Sequence, residues 1–187
     1  MKLKPYWNNF WAVVRARWYF RKATVLGPRA RVWGRPSVQN QGIMQIGERL
    51  RLVSTITPCE LVSGPQGRLE IGDGVFINYG CSIAASQFVC IGANSLIGTY
   101  AILMDNDFHA VDPDQRNQQS PSAPIILEEN VWLGARVTVL KGVTIGRDSV
   151  IGAGSVVTRD IPPGCLAAGV PARVIRQIKQ KENDHES

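Results

Sequence analysis

Residues 131–158 read VWLGARVTVLKGVTIGRDSVIGAGSVVT, and within them an aliphatic returns every six positions: Leu133, Val139, Ile145, Ile151 and Val157. Upstream the same spacing passes through Leu127, then Leu103, Ile97 and Ile91, then Ile83, Ile77 and Ile71. A period of six is wrong for a helix and too long for strand alternation, so each hexapeptide must hold a short strand and a bend. Three such units turn the chain around a triangle and stack it on itself in about 18 residues. Each coil then hydrogen-bonds in parallel to the next, with the aliphatic pointing into the axis. The second position is often glycine (Gly72, Gly92, Gly98, Gly134, Gly146, Gly152), which suits a turn with unusual backbone angles. The fifth is small or β-branched (Val75, Cys81, Ser95, Ala101, Val131, Val137, Val143, Ser149, Ser155), as expected for a side chain inside a corner.

The period slips twice. Ile83 to Ile91 is eight residues, a two-residue reset, and Leu103 to Leu127 is 24, so that 18 extra residues, 109–126, are looped out. His109 opens that loop. A long insertion without repeat character in a compact scaffold marks function or disorder, and Pro113, Pro121, Pro124 and the amide-rich run 115–119 suit an extended arm.

The chain has 187 residues and a net charge of +6. Residues 1–47 carry nine Lys/Arg and no acid, while the other 140 carry 12 basic and 15 acidic residues. Because the basic excess is confined to one aromatic segment, it argues against nucleic acid as a partner. Eight of the 14 aromatics lie there too. Trp7, Phe10, Trp11, Val14 and Trp18 form a stripe at helical spacing, flanked by Arg15, Arg17, Arg21 and Lys22. The arginines interrupt it well short of a membrane span, and no secretory cleavage pattern follows. Two readings stay open and can coexist: the stripe covers the open end of the repeat core, or it lies on an anionic membrane surface. Cys59, Cys81, Cys90 and Cys165 have no metal or framework spacing, which fits a reduced, cytoplasmic protein, with the inner face of the membrane as the alternative seat.

The stretches IGANSLIG (91–98), VWLGARVTVLKGVTIGRDSVIGAGSVVT and DIPPGCLAAGVPARVIR (160–176) resemble the hexapeptide-repeat acyltransferases. More narrowly they resemble the maltose/galactoside O-acetyltransferase-like branch and its relatives in polysaccharide biosynthesis. The resemblance is strong over 71–178 and looser over 32–57, where Val32, Val38, Ile46 and Leu52 suggest earlier, irregular coils. It implies an all-β fold, a left-handed parallel β-helix, assembled as a homotrimer with active sites in clefts between subunits. The expected organisation is an amphipathic helix over 1–24, the β-helix over 25–173, and a short C-terminal helix with polar tail over 174–187.

The resemblance also implies acetyl-CoA as acyl donor, a sugar or saccharide as acceptor, and His109 as the base. Acyl transfer from a thioester to a hydroxyl needs a group to take the hydroxyl proton, and imidazole suits neutral pH. Asp107 is the expected orienting partner of His109, because it sits at a fifth position where small residues belong. Asp105, Asp112 or a backbone carbonyl are the alternatives. Arg116 is expected to face the acceptor, and Trp132 to line the cleft instead of the core, since an indole N–H needs a partner. Ala135 stands where the family often has serine, which puts a hydroxyl contribution there in doubt. For the cofactor, Gly134, Gly152 and Ala153 keep a groove free of side chains, and Arg159, Arg173 and Arg176 match the family's basic positions for the nucleotide phosphates. His185, Lys179 and Lys181 are assigned to the solvated tail.

No metal is expected. A zinc carbonic anhydrase on this scaffold needs several histidine ligands, and only His109 lies outside the tail. N-acylation of an amino sugar would use the same base and cofactor. A non-catalytic assembly subunit is the alternative of another class, but it has no need of the set His109, Trp132, Arg159, Arg173 and Arg176.

Overall fold

The computed structural model describes residues 4–110, 112–118 and 120–178, with side chains from Asn9 onward. His185, Lys179 and Lys181 lie outside the described residues. Six complete three-strand coils follow one N-terminal helix, and a seventh begins at Ile161. The three faces of the prism are three parallel sheets. Sheet A runs from Val25–Leu26 to Thr144–Ile145, sheet B from Arg31–Gly34 to Cys165–Gly169, and sheet C from Ser37–Asn40 to Val156–Val157. The parallel β-helix and its N-terminal helix are as the sequence implies.

All twelve period-setting aliphatics, Ile71 through Val157, are buried and stack in register up the axis, for example Ile97 on Ile77 and Leu133 on Ile97. Every fifth-position residue is buried as expected. The fifth-position serines tie successive coils: Ser149 Oγ donates to the Pro162 carbonyl (2.8 Å) and accepts from Cys165 N–H (3.2 Å). The Cys59 thiol donates to the Asn78 carbonyl (3.1 Å) and the Cys81 thiol, one coil on, to the Gly98 carbonyl (3.1 Å). The neighbouring Cys59 thiol together with burial pushes the Cys81 thiol up.

The second-position glycines have a different reason from the expected turn geometry. The left-handed backbone falls two residues later, at the fourth position: Gly74, Asn94, Tyr100, Asn130, Arg136, Gly142, Asp148 and Gly154 all have φ between +56° and +78°. At the second position a Cβ would collide with the next coil. It would stand 2.6 Å from Ala153 N at Gly134 and 2.4 Å from Pro163 N at Gly146. These glycines let the coils stack.

The expected C-terminal helix is a strand over its described part. Ala172–Gln177 folds back antiparallel on Cys165–Gly169 and closes the edge of sheet B. At the other end the helix α1 (Lys4–Tyr19) packs on Arg31–Gly34 of the first coil. It does so with Ala12, Ala16 and, just past its end, Phe20, all buried. Helix α1 therefore does cover the open end of the core, but with its small-residue face. The side chain of Trp7 lies outside the described residues; Phe10, Trp11, Val14 and Trp18 of the aromatic stripe point the other way.

Candidate active site

The chain leaves the prism after Ile102–Met104 of sheet C and rejoins it at Ile125–Leu127 of sheet A. The interruption predicted at 109–126 thus runs over 105–124. It lies on the edge where sheet C turns into sheet A. The two-residue reset, at Ser86 and Gln87, lies on the same edge one coil earlier, between Ser82–Ala85 and Phe88–Ile91.

Asp105 joins the two irregularities. Its buried carboxylate accepts the backbone N–H groups of Ser86 (2.8 Å), Gln87 (2.7 Å) and Phe88 (2.7 Å). Its own carbonyl accepts Ala123 N–H (2.9 Å), closing the base of the loop. Lys141, from the next coil, fastens both limbs of the loop. Its Nζ pairs with the Asp107 carboxylate at 2.5 Å and donates to Ser120 Oγ (3.2 Å) and the Pro121 carbonyl (2.9 Å).

His109 is exposed on this loop. Its Nδ1–H donates to the Arg116 carbonyl oxygen at 2.9 Å. A carbonyl only accepts, so the bond fixes the proton on Nδ1 and leaves Nε2 with a free lone pair. The ring is held here by a backbone carbonyl, one of the alternatives open from sequence, while the Asp107 carboxylate pairs with Lys141. The sequence expectation for Asp107 rested on counting through a segment that has already left the prism. Asp107 does contribute its backbone: its carbonyl accepts His109 N–H at 2.7 Å. Between them Phe108 holds φ +61°, and its N–H donates to Asn106 Oδ1. A bulky side chain in left-handed backbone next to a candidate base is strain of the kind held at functional sites. Asp112 caps the short 3-10 turn Pro113–Gln115, its carboxylate accepting Asp114 N–H at 3.2 Å.

Beside the loop, along the same edge, runs an open cleft of about 460 Å³ lined by Gln66, Ser86, Asn106, Phe108, Ser120 and Ser122 among others. Among the described residues no charged side chain lines it. Hydroxyls, amides and one aromatic face suit a neutral polyhydroxylated ligand. None of these residues stood out in the sequence except by position: Ser86, Asn106, Phe108, Ser120 and Ser122 come from the two places where the six-residue period slips, and Gln66 from the same edge one coil before Ser86.

The remaining predicted residues lie elsewhere on the prism. Trp132 is 52% exposed on the outer face of sheet B, while its neighbour Leu133 is buried, so core packing is excluded. Gly134, Gly152 and Ala153 follow on the edge between sheets B and C, and Ala153 is exposed there. Arg173 and Arg176 are exposed on the last strand of sheet B. Arg159 is exposed on the C-to-A edge, two coils beyond His109. The candidates therefore divide into two sets. His109, Arg116 and Arg159 share one edge; Trp132 and the C-terminal arginines lie on sheet B, the face opposite that edge, with the glycines at its border with sheet C.

A three-sheet β-helix of hexapeptides with a histidine-bearing loop over a polar cleft defines a class of transferase scaffold, and similarity to known proteins narrows it. The family pattern for the hexapeptide repeat of succinyl-transferase matches residues 124–159. Galactoside O-acetyltransferase from Escherichia coli K12 is 41% identical over 117 residues, covering 63% of this chain and 58% of the relative. A galactoside acetyltransferase solved with coenzyme A superposes with a TM-score of 0.62 at 32% identity, covering 86% of this chain and 68% of that one. A hexapeptide-repeat acetyltransferase from Vibrio cholerae solved with acetyl coenzyme A gives 0.60 at 26% identity, covering 96% and 92%. The chain belongs to the hexapeptide-repeat acyltransferase family. It spans a little over half the length of the curated relatives it matches, at 58%, 55% and 55%.

Proposed function

We propose that the protein is an acetyl-CoA-dependent O-acetyltransferase acting on a sugar hydroxyl, in the cytoplasm and in the service of cell-surface polysaccharide. His109 is the general base. The observation that carries this reading is the Nδ1–H bond to the Arg116 carbonyl, which fixes the tautomer whose Nε2 takes a proton. In the reaction Nε2 removes the acceptor's hydroxyl proton as the oxygen attacks the thioester carbonyl, then returns it to the departing thiolate. The uncharged cleft beside the loop supports a neutral saccharide acceptor. The relatives solved with coenzyme A or acetyl coenzyme A support the donor.

The separation of the two residue sets supports a homotrimer. In one chain the loop edge and sheet B point away from each other, so a site using both needs the edge of one subunit against the sheet B of its neighbour. The nucleotide would then lie against Gly134, Gly152, Ala153, Arg173 and Arg176 of one subunit, with Arg159 supplied from the other.

The test is His109→Ala, assayed by thiol release from acetyl-CoA across a panel of neutral sugars and amino sugars. Turnover on the accepted sugar should fall roughly 10²–10⁴-fold with acetyl-CoA affinity nearly unchanged. Activity retained in the variant overturns the assignment of His109. Turnover on amino sugars alone overturns O-acetylation.

A further inference from the structure

We propose that the outward face of α1 is a docking surface for an anionic lipid bilayer. The helix is apolar on two opposite sides. Ala12 and Ala16 bury one against the first coil, while Phe10, Trp11, Val14 and Trp18 are 59%, 49%, 40% and 65% exposed on the other. At about 100° per residue the stripe lies diametrically opposite the alanines, with Arg17 on one shoulder and Arg15 on the other. Arg15, Arg17, Arg21 and Lys22 are all exposed. The Arg21 guanidinium lies 4.8 Å from the Trp18 ring centroid and donates to the Trp18 carbonyl.

Large aromatics left in solvent by a helix that already caps its core call for an occupant. Charge selects it. No acid occurs in residues 1–47, so this surface offers a negatively charged plane an apolar ridge with cationic shoulders. A second copy fits poorly: apposing two such surfaces brings arginines against arginines with no carboxylate between them. Position agrees, because the main contact of α1 is with the first coil, at the end of the prism. No described helix is long and apolar enough to cross a membrane, so the contact is peripheral. In a trimer with parallel axes the three stripes would face the same plane and bind together more tightly than one.

The experiment is co-sedimentation of the full chain with phosphatidylcholine vesicles, with and without about one-third phosphatidylglycerol, at low and high salt. The protein should pellet with the anionic vesicles at low salt and stay in solution with the neutral ones. A Phe10→Ser/Trp11→Ser/Trp18→Ser variant should lose at least about tenfold in partitioning, and Arg15→Gln/Arg17→Gln should lose several-fold. Because these side chains face solvent, both variants should keep the parent's melting temperature and assembly mass. Absence of the parent from anionic vesicles overturns the proposal, as does unchanged binding by the triple variant. A fall in assembly mass on the triple variant also overturns it, in favour of a contact between copies. None of these readouts depends on turnover, so failure here leaves the acetyltransferase reading to its own test.

Discussion

Asp105 and Asp107 stand two residues apart at the base of the loop, and their surroundings give them opposite work. Asp105 is 1% exposed and satisfies three backbone N–H groups of the reset corner, whereas Asp107 is exposed beside Lys141. Removing the buried carboxylate leaves three donors without an acceptor, so Asp105→Ala should lose about 3 kcal/mol or more of stability, read as a lower denaturation midpoint. Asp107→Asn breaks only a partly solvated ion pair. It should cost less than about 1 kcal/mol and keep turnover within about threefold. A hundredfold loss of turnover in Asp107→Asn would restore Asp107 as the partner of His109. From sequence the two could not be told apart. Both are loop-edge aspartates near a histidine, and which one the fold buries depends on where the chain leaves the prism.

At the scale of the elements, what was legible followed from repetition. Twelve evenly spaced aliphatics identify the core of each coil without reference to anything distant. The second-position glycines were legible as a pattern but not in their cause, because a collision with the next coil is a contact between residues about 18 apart. The two causes separate by mutation. Gly146→Ala would place a Cβ 2.4 Å from Pro163 N and should cost about 2–4 kcal/mol in urea unfolding. Gly154→Ala has no heavy atom within 4 Å and meets only its left-handed backbone, φ +73°, so about 1 kcal/mol is expected. Equal costs would mean that stacking is not what selects glycine at the second position. Helix α1 was ambiguous for the opposite reason. Its sequence carries two apolar faces at helical spacing, and only packing shows that the alanines are the ones buried. The C-terminal segment ARVIRQ alternates neither in residue type nor in burial, and its partner, Cys165–Gly169, exists only once the seventh coil is formed.

For the whole molecule, the distribution of site residues is what the sequence could not disclose. Order along the chain puts His109 and Trp132 a short way apart, whereas the fold puts them on an edge and the face opposite it. A site using both must draw them from different copies, and this has a consequence that a single-chain site cannot imitate. The assembly should sediment at about three times the 20.5 kDa chain mass. His109→Ala and Trp132→Ala should each lower kcat/KM on their own. If the two variants are unfolded together, refolded as an equal mixture and allowed to assemble at random, about a quarter of the subunit junctions join an intact His109 to an intact Trp132. The mixture should therefore regain about a quarter of the parent's activity per site, well above the average of the two variants. Were each site built within one chain, every chain in the mixture would still carry one lesion, and mixing would return nothing beyond that average.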